Sequence, residues 1–143
     1  MKPFRILLVE DNPGDVRLII EALKEGKIFA SVSVAGDGVE ALDILFQRSP
    51  YEKEPLPELI LLDLNLPRMD GRKVLEVVKK SPELKHIPVV ILTTSSAEQD
   101  ILQAYDLRAD CYIRKPLDLE QFVAIVQSID DFWLTIVQSP PAL

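Results

Sequence analysis

Short apolar, β-branched runs alternate along this chain with longer segments of helical period, and that alternation marks a parallel sheet covered on both faces by helices. Five strands are expected, at Phe4 to Val9, Ser31 to Ala35, Leu59 to Leu62, Val89 to Thr93 and Cys111 to Ile113. The first helix opens with Asn12 as N-cap and Pro13 in the first helical position, and turns Val16, Ile19, Ile20 and Leu23 inward. A second follows Asp37 with Ala41, Leu42 and Leu45 at core spacing, and a third follows Asp70-Gly71 with Val74, Leu75 and Val78. Ser96 with Gln99, and Asp118 with Gln121, are capping-box pairs that start a fourth and a fifth. The fold class is α/β, a doubly wound five-stranded parallel sheet.

At 143 residues and 48% hydrophobic content the chain is the size of one domain with a single core, so 1–143 is expected to be one unit with an extended C-terminal helix. A formal net charge of −7 with no clustered Lys and Arg argues against binding nucleic acid or an anionic membrane surface. The lone Cys111 excludes an internal disulfide and any multi-thiolate metal site. Met1-Lys2-Pro3-Phe4 leads straight into a strand, so no signal peptide is expected, and no apolar run is long enough to cross a bilayer. A cytoplasmic location is expected.

Two segments break the rhythm. The stretch from Arg48 to Pro57 carries three prolines among charged residues, exceeds the usual helix-to-strand connection, and is expected to be an exposed loop. At the other end, Phe122, Val126, Ile129, Trp133 and Ile136 continue a helical stripe, and Phe132, Leu134 and Val137 add apolar residues beside it. That excess of large side chains predicts a homodimer with Phe132 and Trp133 in its interface.

The chemistry concentrates where strands end. The run Leu59-Ile60-Leu61-Leu62 stops on Asp63, and the first strand stops on Glu10-Asp11. A buried carboxylate without a partner is expensive, so a strand ending on one implies a task for it. With the two strands adjacent and parallel, three carboxylates meet at the carboxyl edge of the sheet, where open α/β folds bind ligands. Two carboxylates about 4 Å apart repel by roughly 4 kcal/mol at an effective dielectric near 20. Either one is protonated or a cation joins them, and a hard divalent ion such as Mg²⁺ suits a site of few carboxylates beside phosphoryl groups. Taken alone, Asp11 is equally well a turn residue.

The fourth strand ends in Thr93-Thr94-Ser95-Ser96, of which Ser96 serves as a helix cap and Thr93 sits at the strand tip as a ligand-facing hydroxyl. The fifth delivers Lys115, before Pro116, to the same edge, where its point charge suits a phosphoryl oxygen. The only histidine, His86, has no partner at nucleophile or metal spacing and reads as an exposed loop residue, and Cys111 reads as a small core residue.

With Glu10-Asp11, Asp63, Thr93 and Lys115-Pro116 in this order and at strand ends, the chain resembles a receiver domain of a two-component response regulator, over nearly its whole length. The resemblance implies a flavodoxin-like receiver fold and makes Asp63 the phosphoacceptor, phosphorylated from a phosphohistidine of a sensor histidine kinase. It implies that Asp11, Asp63 and the backbone carbonyl of Asn65 ligate Mg²⁺, with Glu10 acting through water, and that Thr93 and Lys115 hold phosphoryl oxygens. Tyr112 matches the family's switch aromatic, whose rotation remodels the surface of the fourth helix, fifth strand and fifth helix. Lys115-Pro116 becomes a candidate cis bond. Arg108 departs from the family, which commonly has Gly in the turn before the fifth strand.

The Pro-rich loop, the run Leu61 to Pro67 and the tail Asp131 to Thr135 look most like the small single-domain regulators paired with cyanobacterial phytochromes, which implies a phytochrome-type kinase as partner. On this reading the chain is a phosphoacceptor with self-phosphotransfer and autodephosphorylation, not a turnover enzyme, and its output runs through a partner.

Three rival classes each conflict with particular residues. A haloacid-dehalogenase-like phosphatase needs a second Asp two positions after the nucleophile, and that position is Asn65. A flavodoxin-like FMN carrier needs a phosphate loop after the first strand, where Glu10-Asp11 would repel the phosphate. A degenerate receiver acting only as an interaction scaffold has no reason to keep the complete acid, hydroxyl and lysine set.

Overall fold

The computed structural model describes residues 3–64, 66, 69–93, 111–114, 120–124 and 126–127, with the backbone alone for 93, 111, 112 and 114. Five strands, β1 (Phe4–Val9), β2 (Ala30–Ala35), β3 (Leu59–Asp63), β4 (Val89–Thr93) and β5 (Cys111–Arg114), form one sheet in the order β2-β1-β3-β4-β5. Every pairing is parallel. Helices α1 (Pro13–Glu25), α2 (Gly38–Leu45) and α3 (Gly71–Lys80) connect the first four strands. Residues 120–124 are helical again after β5. The expected fourth helix, the Lys115-Pro116 bond, Arg108 and the C-terminal tail lie outside the described residues.

The period of two in the strands sorts the core into two layers. Leu7, Val9, Ile60, Leu62, Val89 and Ile91 face α2 and α3, while Ile6, Leu8, Leu59, Leu61, Val90 and Leu92 face α1 together with Phe122 and Val126. Such strands are apolar on both faces because helices cover both, and each fully buried aliphatic side chain contributes about 1.5–3 kcal/mol. α1 buries Ile19, Ala22 and Leu23, with Val16 partly buried; Ala22, not Ile20, completes its stripe.

Each helix start is a local decision of the chain. Asn12 accepts from the N–H of Gly14 at 2.8 Å and of Asp15 at 3.1 Å, Asp37 from Glu40 at 2.8 Å, and Asp70 from Arg72 at 2.8 Å. These caps satisfy donors that the first helical turn leaves without partners.

The Pro-rich segment is a strap and not a free loop. Tyr51 and Leu56 pack against the α2–α3 side of the core, and Pro57 is buried. Arg5 Nε donates to the Leu56 carbonyl at 2.9 Å, Gln47 Nε2 to the Glu54 carbonyl at 2.8 Å, and the Tyr51 hydroxyl to Glu40 Oε2 at 3.0 Å. A cis bond joins Ser49 and Pro50. High proline content signalled a loop, but the side chains between the prolines decided that it would be held down.

Candidate phosphoacceptor site

The sheet order reverses at β1: the chain leaves β1 for α1 on one face and β3 for α3 on the other, which opens a crevice between their carboxyl ends. Register pairs Val9 with Leu62, so the next residue of each strand, Glu10 and Asp63, reaches the crevice together. Asp11 follows. Carboxylate oxygens of Glu10, Asp11 and Asp63 all lie within 4.8 Å of one another. Glu10 and Asp63 are 2% and 3% exposed, whereas Asp11 is open to solvent.

Backbone groups hold this cluster in place. The Glu10 N–H donates to the Ala35 carbonyl at 2.9 Å, and Glu10 Oε2 accepts from the Asn12 N–H at 3.2 Å. The Leu64 N–H donates to the Leu92 carbonyl at 3.3 Å, and the Gly71 N–H to the Leu64 carbonyl at 3.2 Å. Two glycines set the spacing around the segment after Asp63. A Cβ on Gly71 would collide with the backbone of Asp63 and Leu64, and one on Gly38 would come within 2.8 Å of both Cβ and carbonyl oxygen of Met69. The first turns of α2 and α3 thus press on the residues that carry the site.

A cluster of three acids, two of them buried and one open to solvent, fits a hard divalent cation that keeps some of its waters. The fit comes from the donor set, all carboxylate oxygen, with no thiol or imidazole in it.

A family model for the response regulator receiver domain matches residues 6–127. The chain belongs to the response regulator receiver domain family. This receiver is 47% identical over 140 residues to response regulator Rcp1 of Synechocystis sp., an alignment covering 98% of this chain and 95% of that protein. Among solved structures, the phosphorylated cyanobacterial phytochrome response regulator RcpA superposes with a TM-score of 0.78 at 49% identity, covering 93% of this receiver and 95% of that chain. The Mn²⁺-bound form of Rcp1 gives a TM-score of 0.77 at 47% identity, over 94% and 96% of the two chains.

Of the residues singled out from sequence, Glu10, Asp11 and Asp63 converge. Thr93 ends β4, in register with Arg114 and one step beyond the Asp63–Leu92 pair, and Tyr112 lies opposite Ile91. Asn65, Lys115, Phe132 and Trp133 lie outside the described residues. His86 is exposed, as expected. Gly38 and Gly71 are site residues that the strand-end pattern does not single out. The signal was available: Asp37-Gly38 and Asp70-Gly71 both put glycine in a first helical turn, where it is intrinsically unfavourable, at two helix starts on the same sheet edge.

Proposed function

We propose that this receiver accepts a phosphoryl group on Asp63 from a phosphohistidine of a sensor histidine kinase of phytochrome type. The observation that carries this is the convergence of Glu10, Asp11 and Asp63 within 4.8 Å at the switch point, with Asp63 on a strand end against which α3 is fixed. An Asp63 carboxylate oxygen attacks phosphorus; the new O–P bond forms as the N–P bond breaks, and its electron pair returns to the kinase imidazole. Asp11, Asp63 and the Asn65 carbonyl would hold Mg²⁺, with Glu10 acting through water, and the ion would supply neutralisation of the approaching charges. Thr93 and Lys115 take phosphoryl oxygens, and Tyr112 follows by moving inward, remodelling the surface of the fourth helix, fifth strand and fifth helix. The similarity to Rcp1 and RcpA supports the choice of kinase. The acceptor is not a turnover enzyme: it phosphorylates itself from a donor and loses the group by hydrolysis.

Intact-protein mass spectrometry after incubation with acetyl phosphate tests the assignment. Wild type should gain one phosphoryl group with Mg²⁺ and none in EDTA, and Asp63→Asn should gain none. Lys115→Ala should retain labelling but lose any change in self-association that labelling brings. Labelling of Asp63→Asn equal to wild type removes the assignment.

The same reading includes a homodimer through Phe132 and Trp133. In sedimentation velocity the Phe132→Ala, Trp133→Ala variant should weaken association at least tenfold, because buried aromatic anchors carry about 2 kcal/mol or more. A wild type that stays monomeric at every concentration and in both phosphorylation states removes it.

A further inference from the structure

β2 is an edge strand without the devices that ordinarily protect one. It lies at the end of the sheet, where one row of its backbone groups faces away from β1. Natural edges are blunted by charge, proline or a bulge. From Ile28 to Gly36 there is neither a charged residue nor a proline, and the register with β1 is unbroken from Phe4↔Ala30 to Val9↔Ala35. Phe29 and Val34 are 56% and 41% exposed.

The ladder identifies the free groups. The Phe4 N–H donates to the Phe29 carbonyl and the Glu10 N–H to the Ala35 carbonyl. Because alternate residues of a strand turn toward a given neighbour, the odd-numbered residues of β2 bond β1, and the N–H and C=O of Ala30, Val32 and Val34 point outward. The strap reaches β2 through a side chain, with Ser33 Oγ 3.5 Å from Glu54 Oε2. Among the described residues no backbone bond meets the outer edge.

We propose that this edge pairs with the same edge of a second copy, antiparallel about a two-fold axis through Val32. That axis opposes Val32 to Val32 and Ala30 to Val34 of the second copy, so each outward N–H and C=O of the strand gains a partner. The faces also match. Ala30 and Val32 pack on the α1 side, which by strand alternation is also the side of Val34, so apolar meets apolar there; on the opposite side Ser31 meets Ser33, hydroxyl to hydroxyl. Charge selects the same register. Lys27 and Asp37 stand five residues to either side of Val32, so the same axis sets the basic end of each strand beside the acidic end of the other. An axis through Ser33 would instead oppose Ala30 to Gly36, whose N–H already donates to Glu40 Oε1 at 2.8 Å, and would put Lys27 opposite Val39. This contact uses a surface remote in sequence from Phe132 and Trp133 and stands whether or not the tail associates.

Disulfide trapping tests the register in the full chain carrying Cys111→Ser, Phe132→Ala and Trp133→Ala, which removes the native thiol and the tail anchors. Ser31→Cys and Ser33→Cys are made as separate variants and oxidised alone and mixed. Residue 31 opposite 33 is a non-hydrogen-bonded pair with Cα atoms about 4.5 Å apart, within disulfide reach. Like residues are offset along the strands to roughly 8 Å, beyond it. The mixture should give covalent dimer in several-fold excess over either variant alone, and adding Val34→Lys or Lys27→Glu to both partners should abolish the excess. Equal yields from the mixture and the single variants, or no dimer from a mixture whose circular dichroism is native, overturns the proposal.

Discussion

Gly71 decides how closely α3 approaches the phosphoacceptor, because any side chain there meets the backbone of Asp63 and Leu64. Those atoms cannot rotate out of the way as a side-chain tip could. Gly71→Ala is therefore expected to cost about 1–3 kcal/mol in urea unfolding, as overpacking does, although alanine is the better helix former. The same variant should label more slowly with acetyl phosphate, since the strain falls on the residue that reacts. Unchanged stability together with an unchanged labelling rate would show that α3 steps aside freely.

Helix starts carry the next level of organisation. Asp70 caps α3 and pairs with Arg72, whose Nη2 lies 2.8 Å from Asp70 Oδ2. The Arg72 side-chain hydrogen bond, with help from its backbone N–H and charge, holds the Asp70 carboxyl below its ordinary value. A depressed folded value gives stability that is present above the unfolded value, near the ordinary carboxyl range, and lost as pH falls through the folded one. Asp70→Ala should cost about 1 kcal/mol at neutral pH. In chemical denaturation at stepped pH, that difference should shrink as acid passes from the ordinary carboxyl range through the lower folded value. A difference independent of pH would mean that capping by the ionised carboxylate is not its source. The strap is bonded to the site side of the sheet in a comparable way. The Tyr51 hydroxyl donates to Glu40, whose other oxygen accepts from Gly36 N–H, beside the Ala35 carbonyl that receives Glu10 N–H. That bond to Glu40, with burial adding to it, raises the Tyr51 phenol above its usual value.

For the molecule as a whole, the acid cluster links stability to metal. On the proposed reading, three carboxylates within 4.8 Å repel one another, and a bound cation offsets that repulsion. A ligand that binds only the folded state stabilises it by about 2.7 kcal/mol at one hundred times its dissociation constant. Thermal unfolding should show wild type gaining stability with Mg²⁺. Asp63→Asn should start more stable without metal, because one repelling charge is gone, and gain less when metal is added. Equal shifts in the two proteins would place the metal effect elsewhere. Among the described residues no helix is long and apolar enough to cross a membrane.

The order of the described elements, strands apolar on both faces, the Asn12 cap and the identity of the acids at strand ends were legible in the sequence, because each rests on a short-range pattern: a period of two, a period of 3.6, or a side chain bonding the next turn. Asp63 stood out because a carboxylate ending four apolar residues conflicts with burial. Only the tertiary structure decided which strands are neighbours, and so that β2 ends the sheet and that Glu10 meets Asp63 across the β1–β3 register. It alone turned the prolines of the strap into a docked segment and gave Gly38 and Gly71 their purpose. Those features depend on distances between residues far apart in the chain, which the packing of helices on the sheet fixes and local composition does not encode.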